Sequence, residues 1–106
     1  MASDTPASSS PIRWPRDARA ACAFTFDVDA ETLWMARGVN EPVTLSQGRF
    51  GVLEALPRIL AMLRAAEVRA SFFVPAWVAA HYPDAIRAIA AQGHELGCHG
   101  DEHERV

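Results

Sequence analysis

The chain contains no lysine; all ten of its basic residues are arginine. It has no run of positive charge, its formal net charge is −3 and its pI is near 5.7. Nucleic-acid-binding proteins usually show a basic face, so this balance argues against a nucleic-acid partner. The missing lysine carries no functional reading of its own. No apolar stretch approaches the roughly 20 residues needed to cross a bilayer, which argues against a membrane partner. The N-terminus, Met1 to Pro11, is small, polar and rich in proline and serine. It lacks the basic start and apolar stretch of a secretory signal, so residues 1–13 are expected to be a disordered leader and the default location is the cytoplasm. Cysteine is scarce. Cys22 and Cys98 are the only two, and in a reducing compartment they pack as small apolar residues more often than they bridge. A Cys22–Cys98 disulfide is the minority alternative.

Half of the 106 residues are hydrophobic, an ordinary composition for one globular domain at most. Ala20 to Phe26 is a short continuous apolar run ending abruptly in carboxylates, which predicts a strand buried on both faces, as in a parallel sheet. Ala70 to Val74, stopped by Pro75, reads the same way. Between them, Val52 to Ala66 carries Leu53, Leu56, Leu60 and Leu63 at helical spacing. Pro57 interrupts this pattern, so either the regular helix starts near it or the first turn is kinked. A second helix has Pro83 in its first turn with Asp84 beside it, Ile86 and Ile89 facing inward, and Gly93 at its end. Glu95 to Cys98 reads as a third strand. This alternation predicts an α/β fold with parallel strands and right-handed crossovers. Residues 30–47 fit neither period; a connection this long is usually functional or mobile. Its Trp34 and Met35 either line or cover a pocket or belong to a surface insertion with one packed tryptophan. Three strands do not close a barrel, and residues 99–106 begin an element that does not finish. The ordered part, 14–106, is therefore expected to be the N-terminal portion of a larger domain, inactive and marginally folded alone.

In parallel α/β folds, functional residues gather beyond the carboxyl ends of the strands. Asp27 and Asp29 follow the first strand, and His99 and His103 follow the third. Alternation aims both carboxylates the same way, and two such carboxylates repel unless a cation holds one and leaves the other free as a base. His99 and His103 are spaced for one face of a helical turn. One carboxylate with two histidines is a common transition-metal triad. The blander readings are an aspartate pair that merely caps a turn and a His-x-x-x-His on a solvated helix. His94-Glu95-Leu96-Gly97-Cys98 begins like the helical zinc-protease motif, but its fifth residue is cysteine and Gly97 is a poor helix former. Cys98 is not expected as a ligand beside His99, because neighbouring strand residues face opposite ways. His81 and His94 read as ordinary polar positions near turns.

Three stretches together resemble the polysaccharide deacetylase family, whose shared unit is the NodB homology domain: Phe24-Thr25-Phe26-Asp27-Val28-Asp29-Ala30-Glu31, Arg69 to Pro75, and Gly93 to His103. The resemblance covers about Trp14 to Val106 and implies the N-terminal part of a distorted (β/α) barrel. It implies Asp27 as general base, with Asp29, His99 and His103 holding a divalent transition metal, zinc being the leading choice. It also implies hydrolysis of carbon–nitrogen bonds in non-peptide amides, typically N-acetyl groups on sugars, with a sugar or small-molecule amide as substrate. A homo-oligomer is compatible with it. The usual first motif has adjacent aspartates and then glycine, where this chain has Val28 between them and Ala30 after. The histidine motif commonly has Ser or Thr where this chain has Gly100. Both departures resemble the intracellular branch of peptidoglycan-deacetylase-like proteins, cyclic-imide hydrolases and allantoinase-like enzymes. The family's later motifs, a substrate-contacting arginine and a histidine general acid, are expected beyond this chain. The readings from other classes are an inactive remnant of such an enzyme and a simple metal-binding module.

Overall fold

The computed structural model describes residues 11–105, so the leader expected over 1–13 lies outside the described residues except for 11–13, which form no regular element. A single 3-10 turn at Pro15–Asp17 precedes β1, Thr25–Asp27. This strand starts later than expected and includes Asp27. It is not buried on both faces: Thr25 and Asp27 are exposed and Phe26 half-buried. Among the described residues β1 lies at the edge of the order β1-β2-β3 and pairs with β2 alone. The small side chains of Ala20 to Ala23, all exposed, give the preceding segment little to bury.

β2 (Ser71–Val74) and β3 (Glu95–Cys98) fall where the sequence predicts them, and both pairings are parallel. Alternation along β2 buries Phe72 and Val74 and leaves Ser71 and Phe73 half-buried on the other face. Asp27, Phe73 and Gly97 share one row across the sheet. Glycine is needed in that row, because a Cβ at position 97 would sit 2.6 Å from the Phe73 ring.

Residues 30–47 hold more structure than their periodicity indicates: α1 (Thr32–Met35) and the start of α2 (Pro42–Phe50). α1 is about one turn long and α2 buries no residue fully, so neither leaves a helical stripe in the sequence. α2 runs through one wide turn, Gly51–Ala55, into α3 (Leu56–Ala65), with helical backbone angles at Phe50, Gly51 and Leu56. Pro57 accounts for that turn, since it lacks an N–H and crowds the carbonyl four residues back. The helix opens there, and the Leu56 N–H reaches back to the Gly51 carbonyl. The buried stripe is consequently Val52, Leu56, Leu60 and Leu63, while Leu53 turns outward at 54% exposure.

α4 (Ala76–His81), six residues long, follows Pro75 directly. α5 (Pro83–Ala91) forms as expected, with Ile89 fully buried, Ile86 half-buried and Gly93 closing it at φ +80°. The core centres on Phe72, Val78 and Ile89, with the α3 leucines packed in the same cluster. The result is an α/β arrangement of parallel strands that carries the ends of β1 and β3 to a common rim. Among the described residues, no helix is long and apolar enough to cross a membrane.

Candidate metal-binding and catalytic site

Asp27 ends β1, and Asp29 stands two residues beyond it. The alternating backbone aims both at the rim above β3, where His99 continues the ladder by donating its N–H to the Val74 carbonyl at 3.2 Å. His99 Nε2 lies 3.4 Å from Asp29 Oδ1 and 3.8 Å from Asp27 Oδ2. His103 Nε2 lies 3.8 Å from Asp29 Oδ2. Asp29, His99 and His103 each offer a ligand atom within 4.8 Å of the others.

The turn bearing Asp29 is tightly held. Its carbonyl accepts from the Thr32 N–H at 3.0 Å and the Thr32 hydroxyl at 2.6 Å, and Thr32 is fully buried. Ala30 takes a positive φ of 50°, and Gly48 on α2 lies directly against it, since a Cβ there would come 2.5 Å from the Ala30 carbonyl oxygen. Glu31 accepts a 2.6 Å hydrogen bond from the Tyr82 hydroxyl. Burial, followed by that bond and the Glu31 charge, pushes the tyrosine up to about 12 against the opposing pull of Arg49.

The histidine pair is not on a helical turn, contrary to the expectation from its spacing. Gly100 at φ +74° and His103 at φ +59° fold the chain back on itself, and the two imidazoles meet edge to face with centroids 4.9 Å apart. The N–H groups of Ala76 and Trp77, at the start of α4, hold the carbonyls of Gly100 and Asp101. Glu104 Oε1 accepts from the Asp101 and Glu102 N–H groups. These bonds, that of Glu102 foremost, hold the Glu104 carboxyl below its ordinary range.

Asp29 Oδ1 and His99 Nε2 are buried without a hydrogen-bond partner among the described residues. Metal–ligand distances of about 2.0–2.1 Å put tetrahedral neighbours about 3.3 Å apart, close to the 3.4 Å separation of these two atoms. The donor set therefore fits a cation. Asp29 faces both histidines with its side chain 23% exposed, whereas Asp27 faces His99 alone and is 57% exposed. One carboxylate is enclosed by nitrogen donors and the other stays open to solvent.

The other sequence expectations divide. Trp34 lines a crevice of about 250 Å³ beside Asp27 and Asp29, together with Leu33, Gly48 and Val52; Met35 does not line it. Cys22 and Cys98 are both free and exposed, so they neither bridge nor pack as core. Cys98 stays outside the triad, its Sγ 3.8 Å from the Gly100 carbonyl. His81 is an exposed position stacked on Trp77. His94 is not an ordinary turn residue. It is buried, and its Nδ1 accepts the Ala70 N–H at 3.1 Å, which joins the start of β3 to that of β2. The run Gly93-His94-Glu95 gave no local sign of this, because burial on a neighbouring strand is a tertiary property.

A sequence profile of polysaccharide deacetylases matches residues 19–106. The chain belongs to the polysaccharide deacetylase family. It is similar to the peptidoglycan deacetylase of Helicobacter pylori, 30% identical over 84 residues that make up 77% of this chain and 29% of that protein. Among solved structures it resembles a candidate polysaccharide deacetylase from Mycobacterium smegmatis, with 39% identity and a TM-score of 0.80 over 92% of this chain and 35% of that one. It also resembles Puue allantoinase, with 26% identity and a TM-score of 0.74 over 87% of this chain and 37% of that one. The chain thus spans about a third of the length of these relatives.

Proposed function

We propose that the protein is a metal-dependent hydrolase of non-peptide amide bonds, with Asp29, His99 and His103 holding one divalent transition metal. The observation that carries this reading is the buried, unpartnered pair Asp29 Oδ1 and His99 Nε2, which face each other at 3.4 Å. With the His99 proton on Nδ1, both atoms are acceptors, and a single cation between them satisfies both. Imidazole and carboxylate donors suit zinc, and three protein ligands leave a position open. Such a cation supplies Lewis acidity, polarising the scissile carbonyl and making water easier to deprotonate. Asp27, exposed and 3.8 Å from His99 Nε2, is the base: its free carboxylate takes the proton of the attacking water. The crevice along Trp34 lies against the two aspartates and is the place for part of the substrate.

The proposed substrate is an N-acetylated sugar of a cell-wall polymer, in keeping with the H. pylori relative. A second reading, a cyclic imide or ureide, is favoured by the likeness to Puue allantoinase and by Val28, Ala30 and Gly100 at the positions where the sugar-acting pattern differs. The intact donor set disfavours an inactive remnant.

The test uses full-length protein with N-acetylglucosamine oligomers and with allantoin, following acetate release and ring opening. Chelator should abolish turnover. Asp27→Asn should keep the metal and lose turnover on the order of 10²–10⁴-fold. If Asp27→Asn loses the metal and Asp29→Asn keeps it, the two roles are exchanged.

A further inference from the structure

We infer that Glu31 and Tyr82 form a latch that positions the Asp29 carboxylate against His99 and His103. The inference rests on the metal-site reading above and adds two positioning residues to it.

The turn Asp29–Thr32 is closed on itself through the Asp29 carbonyl. These local bonds make the turn rigid, and the Val28 N–H on the Phe73 carbonyl at 2.9 Å ties its entry to the sheet, but neither ties its far side, past Asp29, to the elements around the histidines, which follow β3. Glu31 supplies that connection. Two residues past Asp29, it accepts the Tyr82 hydroxyl at 2.6 Å across 51 residues of chain, in a part-buried position. That length lies in the range of a charge-assisted O–H···O⁻ bond, stronger and more directional than a neutral one.

Tyr82 is anchored in turn. Its N–H donates to the Val78 carbonyl at 2.8 Å, and its ring tilts against Trp77 with centroids 6.4 Å apart. It stands at the start of α5, the helix that leads into β3 and so to His99. The neighbouring α4 holds the Gly100 and Asp101 carbonyls, between the two histidines. The Tyr82 hydroxyl therefore joins the turn bearing the carboxylate to α5, which leads through β3 to His99, and to α4, which holds the loop between the two imidazoles. A strained Ala30, at φ 50°, gives the turn a reason to move if the connection is lost.

Cobalt(II) is the probe, because its visible absorption reports ligand geometry as well as occupancy. Full-length wild type, Tyr82→Phe, Glu31→Gln and Glu31→Ala are titrated with cobalt, and each is also melted. Tyr82→Phe keeps the ring packing and removes the donor alone. It should weaken cobalt binding roughly tenfold, the lower end of the range for outer residues that orient ligands, and alter the absorption band. Glu31→Gln retains an acceptor and should fall between wild type and Glu31→Ala. A latch that is only structural would lower the melting temperature and leave affinity and spectrum unchanged, which overturns the inference. Absence of cobalt binding by the wild type overturns the metal site and the latch with it; wild-type binding that all three variants preserve overturns the latch alone.

Discussion

Two glycines on one helical rod offer a matched experiment. In a helix, Gly→Ala ordinarily stabilises by about 0.5–1 kcal/mol, because alanine loses less backbone freedom on folding. Gly51 meets nothing within 4 Å of where its Cβ would lie, so Gly51→Ala should show that gain. Gly48 is three residues earlier, but its Cβ would lie 2.5 Å from the Ala30 carbonyl oxygen, 2.7 Å from the Ala30 carbonyl carbon and 2.8 Å from the Glu31 nitrogen. All three are backbone atoms of the turn that carries Asp29, so no side-chain rotation relieves the contact. Overpacking of this kind costs about 1–3 kcal/mol, which exceeds the propensity gain at most values in that range. Gly48→Ala should therefore be less stable than Gly51→Ala by about 1–3 kcal/mol in denaturant unfolding of the full-length protein. It should also weaken metal binding, because relief must come from moving α2 or the Asp29 turn. If the two variants are equally stable and bind metal alike, α2 does not press on that turn and the account of how Asp29 is held is wrong.

The remaining expectations concern the core and the Tyr82 hydroxyl. Phe72 is fully buried and stacked on Phe26 with centroids 5.1 Å apart, so Phe72→Ala should cost about 3–5 kcal/mol. Phe24, at 52% exposure, should cost under about 1 kcal/mol when truncated; equal losses would contradict the exposure of the segment before β1. Tyr82 should ionise near 12 rather than 10, read as the ultraviolet difference between wild type and Tyr82→Phe. A raised phenol stabilises the fold fully below its unfolded value near 10, and that contribution disappears as pH rises through 12. Ionisation near 10 would contradict both its burial and its bond to Glu31.

What could be read from the sequence follows physical range. β2 stops at Pro75 and β3 follows the helix-ending Gly93, so both strands and the rim position of Asp27, Asp29, His99 and His103 were legible. α1 and α4 were not, because four or six residues show no period. Pro57 announced a distortion without saying which. The wide turn at Gly51–Ala55 resolves it, turning Leu53 out of the stripe that its spacing suggested. The spacing of His99 and His103 matches a helical face, yet a reversal through Gly100 brings the rings together instead. The residue types suggested a metal triad, while the path between them depended on backbone angles that spacing does not encode. His94 and the Tyr82–Glu31 bond were hidden for another reason: both depend on neighbours from distant parts of the chain.

The central claim is that Asp29, His99 and His103 hold one divalent metal, and metal stoichiometry tests it most directly. Full-length wild type and His103→Ala are purified side by side, loaded with zinc, freed of excess and analysed for bound metal. The account predicts one metal per chain in the wild type and a large loss in His103→Ala. Equal metal content in the two proteins would contradict it.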